Sequence, residues 1–429
     1  MCDSMLKLTV DRVFAAPKIR LVTRPRRQPN LQLASIHQLT NNNIFQHHPS
    51  PISKTSKRLP HNMAGPQTVK TRILIISDTH STPLQPTTSP NPFRQPLPSA
   101  DILIHCGDLT MKGLTSEYHK TLDLLASIDA PIKLVIAGNH DRTLDKTWME
   151  KHQNHLWDGE TFEEAREFWF GEKGRARTEG VVMLEEGVHE VPLKNGGVLT
   201  PIHERGILDP SATSHHLPLH HHKHKTKPLT SSFPNQLYTS QYQPEFCDWA
   251  FPYWKHEDRY NISNVLIDAK HISSNPIPSF SAKQLDVICT HGPPFKRGDI
   301  TPHGNVGCPH LLKAVARAKP LIHCFGHIHE GWGAEKVTWE DTPKREPQQT
   351  IQEFKDGGWE KSIKSVETVE VDKKEVMEQR AVYVDASKTS GKEVIRGEQT
   401  LIVNAAIMDA GYHPVNAAFL VDVDLPLKK

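Results

Sequence analysis

Long apolar runs are missing from this 429-residue chain. Its longest are of strand length, far short of the ~20 apolar residues a membrane helix needs, so a membrane protein is not expected. A surplus of one charge is missing too. The net charge is +2 and the pI is about 8.1, so no strong field selects a nucleic acid or a membrane surface. Cysteine is scarce: six residues, widely scattered, with no CxxC pair. Nothing in that distribution argues for a disulfide framework, which fits a reducing compartment. Cys106, Cys289 and Cys324 lie inside apolar runs and read as small buried hydrophobes. The chain has no internal repeat, and its hydrophobic fraction is only 37% beside 33 prolines. Such averages arise when an ordinary core is diluted by polar segments. A soluble, cytoplasmic protein is expected.

The chain is long enough for two average domains or one large α/β domain with insertions. Residues 1–70 carry eleven Lys/Arg against two acids, Asp3 and Asp11, and read as a disordered extension. Organellar targeting is the less favoured reading of that bias, because no amphipathic helix accompanies it. Met63 is a second candidate start. From residue 71 to 429 a single domain is expected. It is interrupted at about 205–235, where His215–His224 form a histidine-rich tract, and at about 335–398, which is dense in Lys and Glu. The first interruption reads as a solvated loop rather than a metal-loading device, the second as a partly ordered surface insertion.

Between these segments the pattern is strand, loop, helix, strand. Thr71–Ser77, Ile102–Cys106, Ile132–Ala137, Leu285–Thr290 and Leu321–Phe325 are short apolar runs of the kind buried on both faces of a sheet. Helices are predicted over Ser116–Ile128, capped by Ser116, and from Phe162 to about Lys173. Another is predicted over Thr143–His152, with Asp141 as its N-cap, and a further one over Pro309–Ala318. Val181–Leu184 and Val188–Val191 read as antiparallel-type strands, with a further strand at Val198–Ile202. Two strands, Leu401–Ile407 and Ala418–Val423, close the chain.

Chemistry is concentrated where those runs stop. Asp78-Thr79-His80, Gly107-Asp108, Gly138-Asn139-His140-Asp141, Thr290-His291-Gly292 and Gly326-His327-Ile328-His329 each follow a predicted strand. Any one of them alone would be an ordinary turn. Five in series describe one site built from several strands. Asp78 and His80, one residue apart, can reach a single ion. Asp108 supplies a carboxylate able to bridge two, Asn139 an amide oxygen, and His291, His327 and His329 imidazole nitrogens. Seven donors exceed the needs of one tetrahedral ion and suit two divalent cations sharing a carboxylate. The mixed oxygen and imidazole set favours Mn²⁺, with Fe²⁺ or Zn²⁺ next, over Mg²⁺ or Ca²⁺.

With these blocks in this order, the chain resembles the calcineurin-like metallophosphoesterase superfamily over roughly residues 71–334 and the closing strands. Gln243–Phe251, Thr290–Pro294, Gly326–Gly333 and Val403–Ala406 resemble its metallophosphoesterase-domain-containing (MPPED) subgroup. The resemblance implies an α/β fold, a four-layer α/β/β/α sandwich of two mixed sheets. It implies that Asp78, His80 and His329 hold one ion, that Asn139, His291 and His327 hold the other, and that Asp108 bridges them. Some members of the subgroup lack the first histidine of the Gly-His-x-His block. This chain keeps it as His327, so a complete second site is expected.

The implied function is dinuclear metal-dependent hydrolysis of phosphoesters, with a small phosphoester or nucleotide as substrate and cyclic nucleotides suggested by the subgroup. The alternatives are a protein phosphatase and a non-catalytic scaffold on the same fold, and no donor is replaced as decay to a scaffold would require. His140, beside Asn139 and not needed as a ligand, is the candidate catalytic acid for the leaving alkoxide. His105 could orient Asp108 or simply pack. Trp249, Phe251 and Trp332 read as core packing in preference to a nucleobase-stacking wall.

Overall fold

The computed structural model describes residues 67–152, 159–193, 195, 236–263, 265–341 and 348–427. Residues 1–66 of the N-terminal extension with their targeting and start-site readings, the strand at 198–202 and the histidine-rich interruption at 205–235 therefore lie outside the described residues. Thr68–Lys70, read as the end of that extension, are instead strand residues paired with residues 424–426.

Two mixed sheets carry the fold. The first is built from β1 (Thr68–Ile76), β2 (Ile102–His105), β3 (Lys133–Val135) and β4 (Val181–Met183). The second begins with β5 (Gly187–His189), β6 (Leu237–Ser240), β7 (Val287–Thr290), β8 (Ile322–Phe325), β9 (Gly333–Trp339) and β10 (Ile363–Thr368). The chain then returns to the first sheet with β11 (Ala381–Asp385), to the second with β12 (Gln399–Asn404), and to the first again with β13 (Ala418–Pro426). The orders are β11-β13-β1-β2-β3-β4 and β10-β9-β12-β8-β7-β6-β5. In the first, β1, β2, β3 and β4 run parallel and β13 is antiparallel to β1. In the second, β6, β7, β8 and β12 run parallel.

Alternation of side chains along each strand explains the layering. Ile73 and Ile75 point inward with Ile104 and Leu134 to meet Val287, Cys289, Ile322 and Val403 of the other sheet. Leu74 and Ile76 point outward, under Tyr118, Leu122 and Leu125 of helix Thr115–Ala126 and Trp169 of helix Phe162–Phe170. On the far side, Ile288, Phe325 and Ile402 pack under Leu311, Leu312 and Val315 of helix Pro309–Ala318. Burying each such side chain is worth about 1.5–3 kcal/mol. Both faces of the central strands of both sheets are thus covered, which is why those strands read as continuous apolar runs. The expected four layers are present.

Several local readings are corrected. Residues 335–398 are not a surface insertion, since they supply β9 and β10 to one sheet and β11 to the other. β10 is an edge strand with a mostly exposed face, so it carries no apolar signature to read. Val181–Met183 is not antiparallel: it extends the first sheet parallel to β3, and only Gly187–His189 pairs antiparallel, with β6. Ser116 lies inside its helix, where Glu117 accepts hydrogen bonds from the backbone N–H groups of Leu114 and Lys112. Asp141 stands before the 3₁₀ turn Arg142–Leu144, but its side chain makes no capping hydrogen bond there. Asp145 caps the short helix Lys146–Lys151, accepting from the Trp148 N–H.

Candidate metal centre

Because β1, β2 and β3 run parallel, as do β7 and β8, their C-terminal ends open on one edge of each sheet. The two edges meet where Ala406, just past β12, bridges to Ser77, just past β1. The loops leaving these strands are bound to one another. The Asp78 N–H donates to the Gly107 carbonyl at 3.0 Å and the His80 N–H to the Asp108 carbonyl at 3.1 Å. The His327 N–H donates to both carboxylate oxygens of Asp78 at 3.0 Å, and the His140 N–H to Asp108 Oδ1 at 2.9 Å. Asp78, His80, Asp108 and His327 adopt φ values of 55°, 44°, 53° and 66°, the left-handed region that costs a residue with a Cβ of order 1–3 kcal/mol. Strain of this kind persists where surrounding structure imposes it, and it falls here on four of the seven candidate donors. A Cβ on Gly326 would overlap the Asp78 carboxylate, so the glycine before His327 is required by close approach.

Imidazole orientation is fixed from outside. His80 Nδ1 lies 3.0 Å from the Thr110 carbonyl, His291 Nδ1 3.0 Å from that of Cys106, and His329 Nδ1 2.9 Å from that of Asp409. His140 Nδ1 lies 2.8 Å from the Met111 carbonyl. A carbonyl oxygen can only accept, so each Nδ1 carries a proton and each ring turns its Nε2 inward. That Nε2 is bare in neutral His80, His140 and His291, whereas at His329 burial is outweighed by Asp78, which raises the imidazole. Those nitrogens face carboxylates. His329 Nε2 is 3.4 Å from Asp78 Oδ1, His291 Nε2 3.3 Å from Asp108 Oδ1, and His80 Nε2 3.8 Å from Asp108 Oδ2.

This arrangement fits divalent cations on three counts. His80 Nε2 is buried without a hydrogen-bond partner among the described residues, a costly state for a polar atom unless something binds it. His291 Nε2 stands 2.8 Å from Asn139 Oδ1, two electron-rich atoms at the separation that ligands about 2.0–2.2 Å from one ion adopt. Third, Asp78 and Asp108 are buried side by side. Burial, then the charges of Asp78 and Asp141, push Asp108 well above the usual carboxylate range, whereas His329, outweighing the cost of burial, holds Asp78 below it. Positive charge between them would let both ionise.

All eight residues singled out in the sequence converge. Asp78, His80 and His329 have donor atoms within 4.8 Å of one another, as do His80, Asp108 and His140, and Asp108, His291 and His327. Asn139 joins the last group through His291. Burial lowers the His327 and His140 imidazoles to about 3, keeping both neutral and available.

Residues around this centre give further contacts. Asp141 accepts from the N–H groups of Gly138, Leu109 and Thr110 at 2.8, 3.1 and 2.9 Å and from the Thr110 hydroxyl at 2.7 Å, clamping the loop of Asp108 to the loop of Asn139. His105 pairs with the Thr79 hydroxyl at 2.8 Å and so steadies the loop of Asp78 and His80. Trp249 lies against His140, ring centroids 4.1 Å apart. Phe251 is buried, and Trp332 packs on Phe419 and donates to the Ala417 carbonyl at 3.0 Å. Tyr412 and Asp409, absent from the sequence reading, border the site from the segment between β12 and β13. No metal motif marks that segment, and a tyrosine two residues before a proline carries no signal of its own.

A family profile described as calcineurin-like phosphoesterase matches residues 71–331. Human "Metallophosphoesterase domain-containing protein 1" is 27% identical over 280 residues, 64% of this chain and 65% of that protein. A "UPF0046 protein" of Caenorhabditis elegans is 30% identical over 244 residues, 55% of this chain and 48% of its own length. "Probable rhamnogalacturonate lyase C" of Emericella nidulans is 29% identical over 271 residues, covering 63% of this chain but 18% of that protein. The matches thus span from under a fifth to just under two thirds of these relatives. The profile takes in more than half of the chain, and this protein belongs to the calcineurin-like phosphoesterase family.

Proposed function

We propose that this chain hydrolyses phosphoesters with two divalent cations, Mn²⁺ by preference, and acts as a phosphodiesterase on cyclic nucleotides or similar small esters. The observation that carries the reading is the set of four imidazoles whose Nδ1 protons are all spent on backbone carbonyls, leaving Nε2 atoms aimed at two buried carboxylates. Asp78, His80 and His329 would hold one ion, Asn139, His291 and His327 the other, with Asp108 shared. Bound there, the cations would neutralise the phosphoryl oxygens and acidify a water towards a pKa near 7.

The chain's own groups do the rest. The backbone N–H groups of His140 and His327 fix the carboxylates of Asp108 and Asp78, so neither rotates away from the substrate side. His140 can exchange a proton with the substrate only at Nε2, because its Nδ1 is committed to Met111. The neutral ring carries no proton at that atom, so Nε2 must first take one up from solvent before passing it to the leaving alkoxide. That transfer is the contribution we assign to it, worth roughly 10²–10⁴-fold in rate.

Metal analysis of the purified full chain, paired with turnover of cyclic nucleotides, aryl phosphate mono- and diesters and a phosphopeptide, tests this reading. We expect two ions per chain and preferential hydrolysis of the small diesters. Hydrolysis of the phosphopeptide alone would favour the protein phosphatase reading, and two bound ions without any turnover a scaffold.

A further inference from the structure

The segment after β12 makes one tight device over the centre. The Asp409 carbonyl accepts both the Nδ1–H of His329 at 2.9 Å and the backbone N–H of Tyr412 at 3.0 Å. The Asp409 carboxylate closes the same turn, accepting from the N–H groups of Gly411 and His413 at 2.8 and 2.9 Å. A single residue thus fixes a candidate metal ligand and the tyrosine beside it. Tyr412 itself takes φ 61°, left-handed backbone that a residue with a Cβ adopts at a cost. That strain aims its ring at the site rather than at solvent. The ring centroid lies 5.0 Å from His80, 5.2 Å from His329 and 6.1 Å from His140.

Where the hydroxyl ends up matters most. Tyr412 Oη lies 3.5 Å from His140 Nε2. The direction of that contact is set, since Nδ1 of His140 already carries its proton to Met111 and Nε2 can only accept. At 3.5 Å it is well beyond the 2.5–3.0 Å span usual for a hydroxyl donor, and no shorter hydrogen bond to this hydroxyl occurs among the described residues. The side chain is half-buried at the mouth, so a ligand can reach it. A phenol is protonated at neutral pH, so the hydroxyl is a donor.

Resting on the phosphoesterase reading above, we propose that Tyr412 is a substrate-binding residue. Its hydroxyl donates a hydrogen bond to an anionic phosphoryl oxygen of the ester on the Asp78–His80–His329 side of the centre, shortening a contact that the free protein leaves long. A donor aimed at an oxygen that gains charge along the reaction stabilises the transition state more than the ground state. The bland reading, that the ring only packs on the three imidazoles, makes the opposite prediction for a phenylalanine, which keeps the ring and removes the donor.

The test compares the metal-loaded full chain with Tyr412→Phe and Tyr412→Ala, using bis(para-nitrophenyl) phosphate as substrate and inorganic phosphate as ligand. Tyr412→Phe is expected to retain the parent's metal content, to lose kcat/KM by roughly 10- to 100-fold and to weaken phosphate binding, the range of one hydrogen bond to a charged group. Tyr412→Ala should lose at least as much. A Tyr412→Phe protein within twofold of the parent in both turnover and phosphate affinity would overturn the proposal. So would a loss of metal in that variant, which would make the hydroxyl a structural prop. If the parent itself turns over no ester, the phosphoesterase reading fails, and the phosphate affinities alone still decide whether Tyr412 binds the anion.

Discussion

His291 Nε2 and Asn139 Oδ1 stand 2.8 Å apart although His291 has already given its Nδ1 proton to the Cys106 carbonyl. In the neutral tautomer both atoms are acceptors, so their approach is one that a cation between them would stabilise. Removing the amide should therefore cost an ion. We expect Asn139→Ala to bind about one divalent ion fewer per chain, and Asn139→Asp, which keeps an oxygen in place, to retain both. Metal content by mass spectrometry decides it, and equal loading of the parent and the alanine variant would show that the amide plays no part in binding.

Asp108 and His140 separate ligand from acid. Asp108 groups with His80 on one side and with His291 and His327 on the other, so Asp108→Ala should lose metal and with it most activity. His140→Ala should keep metal and lose roughly 10²–10⁴-fold in kcat, about 3–5 kcal/mol at 1.36 kcal/mol per decade. The deficit should be largest for esters with poor leaving groups. The imidazole lies within coordinating distance of His80 and Asp108, so the measurement has force: metal loss in His140→Ala would make it a ligand instead of an acid.

The donors were legible in the sequence because each follows a strand buried on both faces. There, continuous apolar residues such as Ile73–Ile76 end abruptly in Asp, His or Asn. Period-two burial and parallel pairing then bring the ends together whatever the chain separation. Tyr412 and Asp409 were not legible, because their place depends on how the chain reverses between β12 and β13, which no local pattern encodes. β10 was missed because an edge strand with an exposed face needs no apolar residues. Asp141 was misread as a cap. A buried carboxylate and a cap both accept backbone N–H groups, and only the fold decides whether the donors follow the residue or, as with Leu109 and Thr110, arrive from another loop.

That clamp makes a stability prediction. Asp141→Ala leaves the N–H groups of Gly138, Leu109 and Thr110 without their carboxylate acceptor in a buried place. At ~1–3 kcal/mol for an unsatisfied buried donor, and allowing for partial relaxation, the loss should be about 3–5 kcal/mol. Urea unfolding of the metal-free protein measures it without interference from ion binding. A midpoint shift equivalent to less than about 1 kcal/mol would mean that the two loops are held by something other than this carboxylate.

The first sheet also carries an ionic staple whose pH dependence can be worked out. Asp385 accepts from Lys70 Nζ at 2.8 Å and from the Ser387 N–H at 3.0 Å. Burial works against its charge, but the Lys70 and Ser387 hydrogen bonds prevail and lower its pKa from 3.8 to about 2. A carboxyl whose pKa is lower folded than unfolded stabilises the fold at pH values above the unfolded pKa, and that contribution disappears as pH falls through the folded one. Asp385→Asn should therefore be less stable than the parent near neutrality. The gap should close between about pH 4 and about pH 2. Because the pair is partly solvated, with side-chain exposures of 40% for Lys70 and 25% for Asp385, the gap should not exceed about 1 kcal/mol and should shrink in high salt. Thermal unfolding of both proteins across that range checks the sign. A gap that persisted unchanged at pH 2 would assign the effect to lost packing around β11, not to the carboxylate's charge.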